Sequence, residues 1–326
     1  MRKLIFLGTG TSQGVPIIGC DCEVCRSNDP RDKRLRTSAL ICTDSTQVVI
    51  DAGPDFRYQM LRERSKGSIK DRLDGVVLTH SHHDHIGGLD DVRPYLHIMR
   101  KPIALYGSRD TLRHVTDEAF RYAFVENPYP GAPRFEVHVV GSAAGGNNDD
   151  IACTDVDVDN SATVNADIGV DVNTGVDNDT AVNADVDAVQ SIMGVTGAAG
   201  ATDTAGAKIF TVGNITFQPV EVLHNTDLSI LGYRIDNLAY LTDVKFIPAE
   251  SIKKLQGIRV MVINALRGWR HPSHLSLPEA LEIIAYIKPQ IAYLTHISHR
   301  LGLYEEVIKQ LPKNVLPAYD GLSVDF

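Results

Sequence analysis

Residues 79–88 read Thr-His-Ser-His-His-Asp-His-Ile-Gly-Gly, and His80, His82, Asp84 and His85 in that run can all bind a metal. They follow the apolar run Gly75-Val76-Val77-Leu78. An extended segment turns residues two apart toward one side, so the His80 and His82 imidazoles point together. Asp84 and His85 come as the chain turns, and aim at a second point close by. Two neighbouring sites with open positions are what metal-assisted hydrolysis requires. One ion generates hydroxide near neutral pH, and the other holds a substrate oxygen.

The spacing His-x-His-x-Asp-His is matched residue for residue to the signature of the metallo-β-lactamase superfamily, and the sequence resembles that family outside residues 142–207. The resemblance implies a third His for the first site, a bridging Asp at a strand end, and a late His for the second site. The matching positions are His224 in Val220-Glu221-Val222-Leu223-His224, Asp243 in Tyr240-Leu241-Thr242-Asp243, and His296 in Tyr293-Leu294-Thr295-His296. Each follows an apolar run that reads as a buried strand, which puts each ligand at a strand's carboxyl end. By the resemblance, His80, His82 and His224 hold one ion, and Asp84, His85 and His296 hold the other. Asp243 bridges them, and Asp84 and Asp243 serve the chemistry directly. Asp51, in Val48-Val49-Ile50-Asp51-Ala52-Gly53, is similar to the family's carboxylate that orients a ligand imidazole. Histidine and carboxylate ligands suit zinc, manganese or iron, so two divalent ions, Zn or Mn, are expected.

Cys20-Asp21-Cys22-Glu23-Val24-Cys25 packs three thiols into a loop with no room for a core. Disulfide chemistry is one reading, rare in a cytosolic chain of this size. A structural zinc site lacking one ligand is the other. The run is similar to that of the phosphoribosyl cyclic phosphate phosphodiesterases of the carbon–phosphorus lyase pathway. In that group three such Cys join a His placed three residues after the last active-site His. The position here is His299, so the resemblance implies one structural zinc on Cys20, Cys22, Cys25 and His299.

The same group is marked by Leu7-Gly8-Thr9-Gly10-Thr11-Ser12-Gln13-Gly14-Val15-Pro16, Asp29-Pro30-Arg31 and Gly88-Leu89-Asp90-Asp91-Val92-Arg93-Pro94. The glycine-rich stretch follows an apolar strand and offers backbone donors to an anion. It is not a dinucleotide fingerprint, because the third glycine would fall at Gln13. His271-Pro272-Ser273-His274-Leu275-Ser276 precedes a helix start with Ser276 as N-cap, Pro278 early and Glu279 in a capping box. In the phosphodiesterase branch a His just before this helix protonates or stabilises the leaving oxygen. The match is His274, with His271 next in line, and an imidazole suits the task near neutrality.

The elements that must position these residues read as an α/β fold, and the resemblance implies a four-layer αβ-βα sandwich over residues 1–326. Strands are expected near 3–7, 38–42, 47–51, 75–79 and 103–106, then a helix near 109–122. Later strands fall near 208–212, 215–222, 229–235, 238–242, 259–263 and 291–295, with helices near 277–287 and 303–310. The 326 residues and 43% hydrophobic content suffice for one large core. Cys42 reads as packing. Residues 142–207 differ: they hold 12 Asp and no Glu, Lys, Arg or aromatic residue. Val158-Asp159-Asn160 recurs at Val176-Asp177-Asn178, and Val164-Asn165-Ala166-Asp167 at Val182-Asn183-Ala184-Asp185, a period of 18. Such a segment buries little and is expected to be a disordered or loosely β insertion. Asp155-Val156-Asp157-Val158-Asp159 is not an EF-hand, which needs Gly and Glu where Asn160 and Ala166 stand.

The formal net charge is −9, and without the insertion the body carries +3, which permits an anionic substrate. The apolar start Leu4-Ile5-Phe6-Leu7 stops at Gly8, too short for a signal peptide, and no run reaches the ~20 apolar residues of a membrane helix. A cytoplasmic location is therefore expected, with no membrane partner. The expected activity is metal-dependent hydrolysis of small phosphodiesters such as phosphoribosyl cyclic phosphate, with a metal-activated hydroxide attacking phosphorus. A tRNA 3′-endonuclease is the alternative, but the family's RNA-gripping arm has no space in the 18 residues between His224 and Asp243. The acidic insertion would also repel nucleic acid. Thioesterase or lactamase chemistry explains neither His274 nor the Cys run, and a non-catalytic metal-binding module would lack ligands. A homodimer is compatible with the sequence.

Overall fold

The computed structural model describes residues 2–126, 128–141 and 208–326. The acidic insertion expected at 142–207, its disorder and Cys153 lie outside the described residues. Two seven-stranded sheets carry the chain. The first comprises β1 (Lys3–Gly8), β2 (Ser38–Cys42), β3 (Gln47–Ile50), β4 (Gly75–Val77), β5 (Ile103–Gly107), β6 (Phe135–Val139) and β14 (Ser323–Asp325), in the order β14-β1-β2-β3-β4-β5-β6. The second comprises β7 (Phe210–Val212), β8 (Ile215–Leu223), β9 (Ser229–Ile235), β10 (Leu238–Leu241), β11 (Val260–Asn264), β12 (Ile291–Thr295) and β13 (Val315–Pro317), in the order β13-β12-β11-β10-β9-β8-β7.

The layers follow from side-chain alternation within strands. In β1, Leu4 and Phe6 face the space between the sheets, where they meet Ile41, Ile50, Phe217, Tyr233, Tyr240 and Val262. Ile5 and Leu7 face the other way and pack with Phe56 and Met60 of the helix Phe56–Ser65. In the second sheet, Tyr240 points inward, while Ala239 and Leu241 pack outward with Ile283, Ile284 and Ile287 of the helix Leu277–Ile287. Helix, sheet, sheet, helix is the four-layer sandwich expected from the sequence.

Each sheet changes pairing at one point. Strands β1, β2 and β3 form an antiparallel meander, after which β4, β5 and β6 continue in parallel. The second half repeats this, with β8, β9 and β10 antiparallel and β11, β12 and β13 parallel. The carboxyl ends of β3, β4, β8, β10, β11 and β12 carry the candidate site residues at one edge of the sandwich.

The helix expected near 109–122 is broken into Arg109–Arg113, a π-helical turn His114–Ala119 and a 3₁₀ turn Arg121–Ala123. The expected list also lacked β6, β13, β14 and the helices Phe56–Ser65, Arg93–Met99 and Ala249–Lys254. Cys42 packs in the core as expected. Among the described residues no helix is long and apolar enough to cross a membrane.

Candidate metal centre

The support for the His cluster begins at Asp51. Its carboxylate accepts three hydrogen bonds: from Thr79 N (2.8 Å), Thr79 Oγ1 (2.8 Å) and His85 Nδ1 (2.7 Å). Because the Thr79 hydroxyl gives its hydrogen to Asp51, it accepts from His80 Nδ1 at 2.9 Å. The hydrogen-bond pattern therefore assigns Nδ1–H tautomers to His80 and His85. Their Nε2 atoms are left buried and without partners. His224 is set the same way, with Nδ1 donating to the Asp243 carbonyl at 2.7 Å.

Glycine permits the close approach this requires. A Cβ on Gly53 would lie 2.0 Å from the Asp84 carbonyl, and one on Gly88 would lie 2.0 Å from the Gly53 carbonyl. Only bare backbone lets the loop after β3 press against the turn that presents Asp84 and His85.

Three side chains of the site stand on left-handed backbone: Asp51 (φ 63°), Asp243 (φ 59°) and His296 (φ 53°). Each costs on the order of 1–3 kcal/mol for a residue with a Cβ, and such strain collects at functional sites. Here it marks the points where β3, β10 and β12 end and the chain swings a side chain into the cleft.

The residues expected from the sequence come together as two donor groups. His80, His82 and His224 place one ligand atom each within 4.8 Å of one another, and so do Asp84, His85, Asp243 and His296. Asp243 straddles them. Its Oδ2 lies 3.3 Å from His85 Nε2 and 3.2 Å from His296 Nδ1, and its Oδ1 lies 3.7 Å from His274 Nδ1. His224, Asp243 and His274 form a further group on the same criterion.

The electrostatics fit a cation. Burial pushes His85 down, but Asp243, Asp51 and Asp84 outweigh it and hold the imidazole well above its ordinary value. Burial pushes Asp243 up, and His296 and His85 outweigh that, keeping the carboxylate well below its ordinary range. Asp84 is likewise held low against burial by His85. Burial lowers His80, His82 and His296, so their nitrogens are free to act as ligands. Orphaned Nε2 atoms facing carboxylates are the donor set of a divalent site. The residues therefore fit metal binding.

Thr11 and Thr37 went unremarked in the sequence. Thr37 Oγ1 gives its hydrogen to the Gly10 carbonyl at 2.7 Å and cannot donate to His296 Nδ1, 3.3 Å away. Thr11 Oγ1 lies 3.3 Å from His296 Nε2, so two hydroxyls bracket the imidazole whose Nδ1 faces Asp243. This is the use of the glycine-rich stretch. Three of its backbone donors are spent on the fold: Gly10 N bonds Leu35 O at 2.7 Å, Thr11 N bonds Ile297 O at 3.1 Å, and Gly14 N bonds Thr11 O at 2.8 Å.

His274 lies where expected, on the loop before the helix Leu277–Ile287, whose Ser276–Glu279 capping box is present. Its ring centroid is 4.7 Å from His224, 4.8 Å from His296 and 5.1 Å from His271. Burial pushes it down to about 2, and its Nδ1 has no partner. Buried Lys245 holds this loop, donating Nζ to Glu279 Oε1 at 2.7 Å and to the His274 carbonyl at 3.5 Å. No sequence motif marked Lys245. His271 accepts from Ser273 N at 3.2 Å and stays behind His274.

The second cluster is also assembled. Cys20, Cys22 and Cys25 Sγ lie 3.3, 3.3 and 3.6 Å from His299 Nδ1, and the thiols are free. The Cys25 N–H pulls Cys22 down to about 6, while burial pushes Cys25 up to about 11. The expectation of a coreless loop is corrected. Val15, Val24 and Cys25 form a small buried cluster with Ile17, Cys20 and Leu303 against it, and Cys22 caps a one-turn helix, Glu23–Arg26.

A model of the beta-lactamase superfamily domain matches residues 46–297. The chain belongs to the metallo-β-lactamase superfamily. A solved diphosphatase from the PhnP family is 32% identical, with TM-score 0.73, over 100% of this chain and 98% of that one. An octanoyltransferase of Porphyromonas gingivalis is 34% identical over 323 residues, 98% of this chain and 51% of that protein. The chain thus spans about half the length of that relative. Zn²⁺-bound PqqB from Methylobacterium extorquens, at 15% identity and TM-score 0.59 over 99% of this chain and 100% of that one, shares the fold. The chain is thus a metallo-β-lactamase-superfamily protein similar to the PhnP family, and its fold implies divalent metal binding.

Proposed function

We propose that this protein is a dinuclear phosphodiesterase acting on small anionic phosphodiesters, cyclic ribose phosphates such as phosphoribosyl cyclic phosphate among them. The observation that carries the reading is the shared carboxylate: Asp243 belongs to the Asp84, His85 and His296 group and also to the group containing His224 and His274. Bound divalent ions, Zn or Mn, would supply Lewis acidity and an acidified water. His80, His82 and His224 would hold one ion, Asp84, His85 and His296 the other, and Asp243 would bridge. Asp51, Thr79 and Thr11 orient the imidazoles. His274 faces the position where a leaving oxygen departs. It is neutral in the protein alone, since burial pushes it down to about 2. A bound phosphate brings the negative charge that raises its affinity for a proton, and the imidazole then gives that proton to the oxygen.

Assay of bis(p-nitrophenyl) phosphate, a cyclic ribose phosphate, a symmetrical diphosphate, a β-lactam and an octanoyl thioester with defined metals tests this reading. Diester turnover abolished by chelation and restored by metal is the expected result. Turnover of the thioester alone would replace it with acyl chemistry, the reading that the octanoyltransferase relative favours. The tRNA 3′-endonuclease alternative is disfavoured by β9 and β10, which occupy the chain between His224 and Asp243 and leave no arm there.

The Cys20, Cys22, Cys25 and His299 cluster would hold a structural zinc, three thiolates and one imidazole being a closed tetrahedral set. Cys22→Ser should lower the zinc content by one ion and cost on the order of 4 kcal/mol of stability, read by metal analysis and denaturant melts. Unchanged metal content would remove the zinc from this loop.

A further inference from the structure

Lys245 is a buried cation, 2% exposed, two residues past the shared carboxylate Asp243. Its Nζ donates to Glu279 Oε1 at 2.7 Å and reaches the His274 carbonyl at 3.5 Å. The N–H of that same peptide unit, Leu275 N, donates to the Val244 carbonyl at 2.8 Å. The peptide that follows His274 is thus held on both sides by two consecutive residues. Glu279 adds a third hold, since its Oε2 accepts from Ser276 N at 2.8 Å and Ser276 Oγ at 2.7 Å. Arg270 also stands near Glu279, 3.8 Å from Oε1, but its side chain is largely exposed.

The turn doing the holding is itself fixed. Buried Asn264, at the end of β11, accepts from Val244 N at 2.8 Å and donates to the Val244 carbonyl at 3.1 Å. Lys245 N donates to the Leu223 carbonyl, next to His224, at 2.7 Å. By contrast, the segment 265–275 that presents His274 contains no helix or strand, so bonds to its neighbours set its shape. An ammonium offers three donors from one atom and can serve Glu279 and the peptide together.

We propose that Lys245, paired with Glu279, is a positioning residue for the leaving-group step. It holds the 274–275 peptide so that the His274 imidazole stands beside Asp243, with Nδ1 3.7 Å from Oδ1. The turn that carries the shared carboxylate then also places the proton donor, and the two stay in register. A buried ion pair adds little net stability, because desolvation offsets the attraction, so a role in placement gives this one its use. The inference rests on the phosphodiesterase reading and deepens it.

Lys245→Met keeps the length and the apolar stem but removes the ammonium. In the metal-loaded full chain it should lower kcat for an unactivated alkyl diester by roughly 10–100-fold, with KM little changed, since a proton donor moved by about 1 Å loses that much. The loss on a p-nitrophenyl diester should be smaller, because that leaving group needs no proton. A cycle with His274→Ala decides between placement and general structure. Once His274 is gone, Lys245→Met should cost the alkyl diester little more. Equal losses on the two esters, a loss undiminished in the His274→Ala background, or no loss would each overturn the proposal. Glu279→Gln keeps the capping box, which accepts glutamine, and should show the same pattern; it carries the test if Lys245→Met does not fold. One readout needs no turnover: the His274 imidazole resonance of the zinc-loaded chain, identified by its loss in His274→Ala. It should shift in both variants while the His299 resonance stays, and an unmoved His274 resonance would also overturn the proposal. If the parent hydrolyses neither diester the phosphodiesterase reading fails, while the resonance still reports whether Lys245 places His274.

Discussion

Asp51 and Asp243 occupy the same place in the two halves of the sandwich. Each follows the last strand of an antiparallel meander, β3 in one half and β10 in the other, where the next pairing turns parallel. Each is fully buried, on left-handed backbone with φ of 63° and 59°. Their surroundings differ. Both Asp51 oxygens are spent on Thr79 and His85. Asp243 takes one protein hydroxyl, Thr242 Oγ1 at 2.6 Å, and otherwise faces the imidazoles of His85, His296 and His274. Burial drives Asp51 above its ordinary range, while His296 and His85 overcome burial at Asp243 and hold it well below. One backbone device, used twice, thus delivers a supporting carboxylate and a working one. The fold sets where the carboxylate stands, and the neighbours decide what it does.

The largest effect should come from the working carboxylate. Asp243→Asn removes half the charge available to both donor groups, so diesterase activity should fall by several orders of magnitude and metal content should drop. A variant with full metal content and near-native turnover would deny Asp243 its bridging role.

The loops after the equivalent parallel strands sharpen the contrast. The loop after β4 supplies His80, His82, Asp84 and His85, whereas the loop after β11 supplies His274. His274→Ala should cut turnover of an unactivated alkyl diester by roughly 10²–10⁴-fold, with metal content intact. A p-nitrophenolate already leaves as a stable anion, so the loss on that ester should be much smaller. Equal losses on both esters would make His274 a phosphate-positioning group.

Asp51→Asn should be milder than Asp243→Asn. It keeps the shape but weakens the hold on His85, and loss of such an orienting partner costs roughly 10–100-fold in activity or metal affinity. Should Asp51→Asn equal Asp243→Asn in both metal content and kcat/KM, the distinction between the two halves would collapse.

Much of this was legible in the sequence for a physical reason. A metal site must place several ligands on short, tightly specified segments, so His80-x-His82-x-Asp84-His85 and the strand-end residues His224, Asp243 and His296 stand out. Buried strands such as Val260–Asn264 are apolar throughout and equally plain. The elements that were missed lack such signals. The strands β13 and β14 have only three residues each, β14 reading Ser-Val-Asp, and the helix Ala249–Lys254 is mostly polar. Lys245 and Thr11 escaped because their work depends on partners distant in sequence. Lys245 meets Glu279, 34 residues on, and Thr11 meets His296, 285 residues on. The glycine-rich stretch was recognised by its pattern, but the sequence did not show that its Gly10, Thr11 and Gly14 N–H groups serve the fold.

The smallest expected effect tests Thr11, which stands between the catalytic cluster and the thiol cluster. Its hydroxyl meets His296 Nε2 at 3.3 Å, and its backbone N–H holds the Ile297 carbonyl at 3.1 Å, on the segment that runs to His299. Thr11→Val keeps the volume and the backbone bond but removes the hydroxyl. His296 then loses the hydroxyl that holds its Nε2, and with it part of its fixed orientation beside Asp243. Orienting partners of metal-bound histidines contribute at least tenfold, and a single bond near the upper end of the hydrogen-bond range belongs at that lower end. Activity at limiting metal should therefore fall about tenfold, excess metal should restore most of it, and Thr11→Ser should behave as the parent. The thiol cluster gives the internal control, since its four ligands do not touch the Thr11 hydroxyl. A melting temperature and a thiol-bound zinc content unchanged by Thr11→Val would confine the effect to His296. Zinc lost from the Cys cluster along with the activity would show instead that the 296–299 segment moves as one piece, with Thr11 a clamp on the backbone rather than on the imidazole.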